Sequence, residues 1–166
     1  FLNEDGGIEA DITVTRLAET SYIVVTPAAT RLADQTWMTR HAFNYNVVII
    51  DVTAGEGVLA VMGPNSRKFL NLISSADLSN EENPFGTAQE VEIGLGLARI
   101  HRVSFVGELG WEIYVSADQA GHVFEVIAEA GKDTNLKFCG MHMMDSCRIE
   151  KGFRHFGHDI TCEDHV

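Results

Sequence analysis

Gly107-Glu108-Leu109-Gly110-Trp111-Glu112-Ile113-Tyr114-Val115 is the stretch on which the reading of this chain turns. Two glycines give a tight turn, and the residues after Gly110 alternate. In an extended chain Trp111, Ile113 and Val115 fall on one face, and Glu112 and Tyr114 on the other. Such a strand is half buried, with its apolar face on a core. A carboxylate fixed on the other face can accept two parallel N–H bonds from a planar donor pair. On periodicity alone the expectation is a solvated outer-face residue.

Working outward, Ala10 to Leu17 alternates as a strand, and Tyr22–Thr26 reads as a second one. Pro27 opens a helical stretch to about Phe43, with Leu32, Gln35, Thr36 and Thr39 on a weakly apolar face. Val47–Val52 is a continuous β-branched run, expected to be a buried central strand. Gly57–Met62 is another strand. A helix follows from Gly63-Pro64-Asn65-Ser66, with Phe69, Leu70 and Ile73 on one face. Ala76–Thr87 reads as a loop. Strands follow near Ala88–Ile93, Leu97–Phe105 and Trp111–Ser116. The helices after them run from about Asp118 to Ala130, burying Val123, Phe124 and Ile127, and from about Met141 to Gly152. This order predicts an α+β fold, mixed, with largely antiparallel sheets and packed helices. No GxGxxG follows any strand, so no dinucleotide site is expected in this chain.

The length of 166 residues suits about one domain. The formal net charge of −12 excludes the basic footprint that nucleic acid or an anionic membrane requires. No apolar run approaches the roughly 20 residues needed to span a bilayer. Three cysteines without CxxC spacing suit a reducing compartment, cytoplasm or mitochondrial matrix. The first residue is not Met and no leader-like stretch follows, as expected for a segment of a longer chain.

Gly6-Gly7 permits a sharp turn that delivers Asp11 to a strand. There it could hydrogen-bond an amine, or it could cap the turn. His155-Phe156-Gly157-His158-Asp159 has the residue types of a metal site but no further ligands at standard spacing. No metal is expected, and the two histidines are read as rim or packing residues. Asp145 and Arg148 are expected to pair on their helix. Cys147 is expected to be buried, Met141, Met143 and Met144 to fill the core, and Asp51 to accept hydrogen bonds in a turn.

Several collinear motifs give the chain a family resemblance. They are Leu2–Ile8, Leu59-Ala60-Val61-Met62-Gly63-Pro64-Asn65-Ser66-Arg67, Ala76–Glu81, Pro84–Thr87, Ser104–Glu112 and Asp145–His155. The sequence resembles the aminomethyltransferase family, the T-protein of the glycine cleavage system and its relatives. It is more similar to the C-terminal folate domain of sarcosine and dimethylglycine dehydrogenases, and Ser104–Glu112 and Asp77–Glu81 most resemble sarcosine dehydrogenase. The resemblance implies a T-protein-like folate-binding fold over residues 1–166. It also implies tetrahydrofolate as cofactor and a small methylamine or its iminium as substrate, with FAD confined to a flavin domain elsewhere in the parent chain. It places Asp11 on the catalytic aspartate beside N5 of tetrahydrofolate and Glu112 on the carboxylate that grips the pterin. Val25, Phe105 and Trp111 fall with Glu112 in the folate-binding set.

Three positions depart from the T-protein pattern. Phe105 stands for a Tyr, as in sarcosine dehydrogenases, Met144 for an Arg, and Pro27 for a small or amide residue. The expected function is one-carbon transfer giving 5,10-methylenetetrahydrofolate. A non-catalytic folate-binding or regulatory module and a stand-alone aminomethyltransferase are the alternatives.

Overall fold

The computed structural model describes all 166 residues, Phe1–Val166. The chain divides into two compact units: Phe1–Asp51 with Arg154–Val166, and Val52–Phe153.

The second unit holds the core. Strands β3 (Glu56–Met62), β4 (Ala88–Ile93), β5 (Gly96–His101) and β6 (Gly110–Ser116) form one antiparallel sheet in the order β3-β6-β5-β4. The alternating segment around Trp111 is therefore an inner strand. Register aligns Leu59, Ile113 and Ile100 in one row, and Ala60, Glu112 and His101 in the next. Adjacent rows project to opposite faces. The first kind of row packs with Trp111, Val115, Ala98, Val91 and Ile93 into the core. Each such side chain contributes roughly 1.5–3 kcal/mol by leaving water.

Two helices cover that face. In α2 (Ser66–Leu70) the buried apolar residues are Phe69 and Leu70. In α3 (Ala120–Gly131), Val123 and Ile127, one turn apart, enter the core. Phe124, expected to be buried with them, is 44% exposed and leans on Phe138, with ring centroids 5.7 Å apart. The helical step of about 100° from Val123 takes it off the core stripe. Trp111 is 0% exposed, and its indole N–H donates to Asn83 Oδ1 at 2.6 Å. Asn83, itself buried, donates in turn to Thr87 Oγ1. The loop Ala76–Thr87 thus supplies the polar partner that a buried indole requires.

In α4 (Met141–Glu150), Arg148 is 3% exposed and pairs with Asp145 through Nε at 2.7 Å, as expected from spacing. Its Nη1 also donates to the carbonyl of Phe153, which ties the helix end down. The methionines do not fill the core: Met141 and Met143 are exposed. Cys147 is only half buried, with Sγ 3.3 Å from Met143 Sδ.

The first unit pairs β1 (Thr13–Ala18) with β2 (Ser21–Val25) and carries α1 (Arg31–Ala42). Pro27 lies ahead of α1 rather than in its first turn. Leu32 on α1 is exposed, and Asp34 is the helix's buried residue, accepting from Thr30 Oγ1 at 2.6 Å. The chain's two ends meet in this unit. Leu2 bridges Ile8, Gly7 bridges His165, and the N–H of Ile8 donates to Asp164 O at 2.9 Å.

Val47–Val52 is not a strand. Residues 47–52 form no ladder, and Val48 is 85% exposed. β-branching favours an extended chain, but a strand also needs a hydrogen-bonded partner, and none lies alongside this run. Asp51 accepts from the guanidinium of Arg31, Nε to Oδ2 at 2.7 Å.

Asn83→Ala is expected to lower the unfolding free energy by about 2–4 kcal/mol, because it strands the indole N–H and leaves a cavity. The loss is read as a shift in urea midpoint at constant slope. Leu95→Ala, at an exposed turn position, is expected to stay within about 0.5 kcal/mol.

Candidate functional site

The second unit presents one ordered polar cluster on the sheet face opposite the core. Glu112 lies at its centre, flanked in register by Ala60 of β3 and His101 of β5. The Ala60 side carries only a methyl group and is exposed, while the His101 side is buried. Two residues along β6, the Tyr114 hydroxyl donates to Glu112 Oε2 at 2.5 Å. The Tyr114 ring lies against His101, with centroids 4.5 Å apart.

Burial, and then the Glu112 carboxylate, push the Tyr114 phenol above its usual range, so it stays a donor at physiological pH. Burial, then Arg99 on the same strand, hold His101 below the usual histidine value. The carboxylate is therefore flanked by an uncharged phenol and an uncharged imidazole. Such a group is an acceptor with a preset orientation, suited to a planar N–H donor pair.

The approach to β6 is fixed by backbone. Gly107 has φ of +74°, and a Cβ there would meet Lys151 Cγ at 2.3 Å, so the turn needs glycine. Leu109 O accepts from Gly63 N at 2.7 Å and from Ser66 Oγ at 2.9 Å, locking the turn to the start of α2. Phe105, ahead of this turn, is half buried, with the Arg148 guanidinium 6.0 Å from its ring centre.

Trp111 does not belong with these residues. It sits on the core face of β6, fully buried, with its N–H committed to Asn83. Alternation along the strand separates it from Glu112, and its part is to hold the strand.

The first unit carries the other candidates. Asn3 Oδ1 accepts from the N–H groups of Gly7 and Asp5, and Gly6 turns at φ of +81°. The Phe1 amino group donates to Ala10 O at 2.8 Å. Asp11 follows in extended chain just ahead of β1 and is exposed. Val25, the last residue of β2, pairs with Thr13. Asp11 and Val25 thus sit at the same end of one hairpin. His155 and His158 stack, with centroids 4.3 Å apart, and the His155 N–H donates to Asp159 Oδ2. No helix in the chain is long and apolar enough to cross a membrane.

Sequence reasoning placed Tyr114 on the face of Glu112 but gave it no role. Same-face i, i+2 spacing was the available signal. His101 was missed, because its place beside Glu112 follows from strand register, which the local pattern does not encode.

The family model for the GCVT N-terminal domain matches residues 1–166. The chain is 47% identical over 160 residues to 4-methylaminobutanoate oxidase (formaldehyde-forming) of Paenarthrobacter nicotinovorans, covering 96% of this chain and 19% of that protein. It is 35% identical to mitochondrial sarcosine dehydrogenase of Mus musculus, covering 99% of this chain and 20% of that one. Dimethylglycine dehydrogenases and aminomethyltransferases are also relatives. Among solved structures, the glycine cleavage system aminomethyltransferase T of Bartonella henselae superposes with a TM-score of 0.81 at 29% identity, over 99% of this chain and 43% of that one. The chain thus spans about a fifth of the oxidase and dehydrogenases. A mixed fold of helices and antiparallel sheets, a family model matched from end to end and relatives above 30% identity together show that the chain belongs to the GCVT N-terminal domain family, whose members include glycine cleavage T-protein aminomethyltransferases and sarcosine and dimethylglycine dehydrogenases.

Proposed function

We propose that this chain binds tetrahydrofolate and transfers a one-carbon unit to it, forming 5,10-methylenetetrahydrofolate, as the folate part of an N-methylamine-oxidising flavoenzyme. One observation carries the reading. Glu112 stands on an inner strand with one oxygen held by a neutral donor and its open flank lined by a methyl group. The N3–H and 2-amino groups of a pterin are a donor pair that matches a carboxylate. Glu112 supplies orientation and specificity in this scheme, not proton transfer. Phe105, on the same unit, supplies an apolar wall.

Asp11 is the catalytic group of the proposal. Its carboxylate stabilises the cationic carbon of an iminium and positions it beside N5 of the folate. Holding the two reactants together in a site that excludes water favours capture of the carbon over its hydrolysis. Oxidation of the amine, of the sarcosine or dimethylglycine kind, belongs to an FAD domain in the rest of the parent protein. The name of one relative describes formaldehyde formation. The fate of the carbon is therefore the quantity to measure.

Glu112→Gln is expected to weaken tetrahydrofolate binding by roughly 2–3 kcal/mol, through loss of a charge-assisted bidentate contact. Calorimetric titration of the intact protein measures this, and unchanged affinity would remove Glu112 from the folate site. Asp11→Asn is expected to cut methylenetetrahydrofolate formation by about 10²-fold while folate affinity stays within a factor of about two. Product analysis during amine turnover reads this directly. Free formaldehyde should rise as the folate product falls, and an unchanged product ratio would return Asp11 to a turn role.

A further inference from the structure

We propose that Tyr114 is the residue that sets the pterin selectivity of Glu112, by holding one carboxylate oxygen so that the pair faces a 2-amino pterin. The inference rests on the folate reading above and assigns to it a positioning residue.

The geometry is specific. A glutamate on a strand has three free torsions, and an ionised carboxylate offers about four lone-pair directions. Recognition of a planar N–H pair uses one lone pair on each oxygen and fixes the plane of the group. The Tyr114 hydroxyl takes a lone pair of Oε2 at 2.5 Å. One lone pair on Oε2 and those on Oε1 remain for a ligand. The donor cannot wander, because Tyr114 is 5% exposed and its ring rests on His101, which is also buried. Tyr114 and Glu112 are i, i+2 on the same inner strand, so the two side chains share one face and one backbone frame. A side chain held this way before the ligand arrives loses less rotamer freedom on binding.

The arrangement also disfavours the wrong ligand. A pterin analogue with oxygen in place of the 2-amino group brings an acceptor to a carboxylate oxygen. A swinging glutamate would turn away and retain the contact at N3–H. One held by Tyr114 cannot, so the repulsion is felt in full. The hydroxyl therefore governs discrimination more than affinity.

The test uses the intact protein with two probes, tetrahydrofolate and its 2-deamino-2-oxo analogue, titrated into wild type, Tyr114→Phe, Glu112→Gln and the double variant. Phe keeps the ring against His101 and removes only the hydroxyl. Tyr114→Phe is expected to weaken tetrahydrofolate binding about 5- to 20-fold and to lower the preference for the 2-amino ligand at least as much. In the Glu112→Gln background the same change should alter affinity by less than about twofold, because the two residues act as one unit. A general loosening of the sheet would weaken both ligands alike and leave their ratio unchanged, and that result overturns the proposal. So does an equal effect of Tyr114→Phe in both backgrounds. If Glu112→Gln alone has no effect on tetrahydrofolate, it is the folate reading of Glu112 that fails. The ligand ratio is independent of the fraction of protein folded, so a loss of stability in the Phe variant does not obscure it.

Discussion

The dry face of β6 sets the conditions for everything on its other side. Trp111, Ile113 and Val115 are buried against α2, α3 and the neighbouring strands, and the indole N–H is satisfied by Asn83. β3 on one side and β5 on the other supply hydrogen-bonded ladders. An inner strand anchored in this way cannot shift register without exposing its whole apolar set. Glu112 and Tyr114 inherit that fixity, because each is bonded directly to a core residue. The polar cluster thus stands on a frame set by core packing on the opposite face.

A chain of net charge −12 with a carboxylate at its candidate site has a strong electrostatic bias. The two side chains beside Glu112 add no charge of their own. Tyr114 stays protonated and His101 is biased to its neutral form, while Arg99, the register partner of Tyr114, has Glu56 at 3.8 Å. A buried phenol donating to a carboxylate is far cheaper than a second buried ion, since no opposite charge must be desolvated.

Much of this was legible in local patterns. Alternation found β6 and sorted its faces, and β3, β4, α3 and α4 came out within a few residues of their observed bounds. The failures share a cause. Val47–Val52 has strong strand chemistry and no ladder, because a strand requires a partner that sequence windows do not contain. Phe124 lies off the buried stripe by one helical step. Met141 and Met143 of α4 are exposed where composition suggested core. Trp111 was grouped with Glu112 by proximity in the family motif, although strand alternation had already placed it on the other face. His101 was invisible because it reaches Glu112 only through the β5–β6 register. What sequence windows miss here is long-range pairing, not local conformation.

The first unit closes only when residues 154–166 return to the segment Leu2–Ile8, through the Gly7–His165 bridge and the Ile8–Asp164 hydrogen bond. The second unit lies wholly between those two segments. On the ribosome, chains emerge from the N-terminus at about 5–20 residues per second. The core sheet with its helices is thus complete before the last partner of the first unit has been made. The hairpin β1–β2 can form early, since its pairing is local. The turn that presents Asp11 is different: its outer bonds wait for residues 164–166. Order of synthesis therefore separates the two carboxylates of the proposal, with the strand of Glu112 made before the partners that support Asp11.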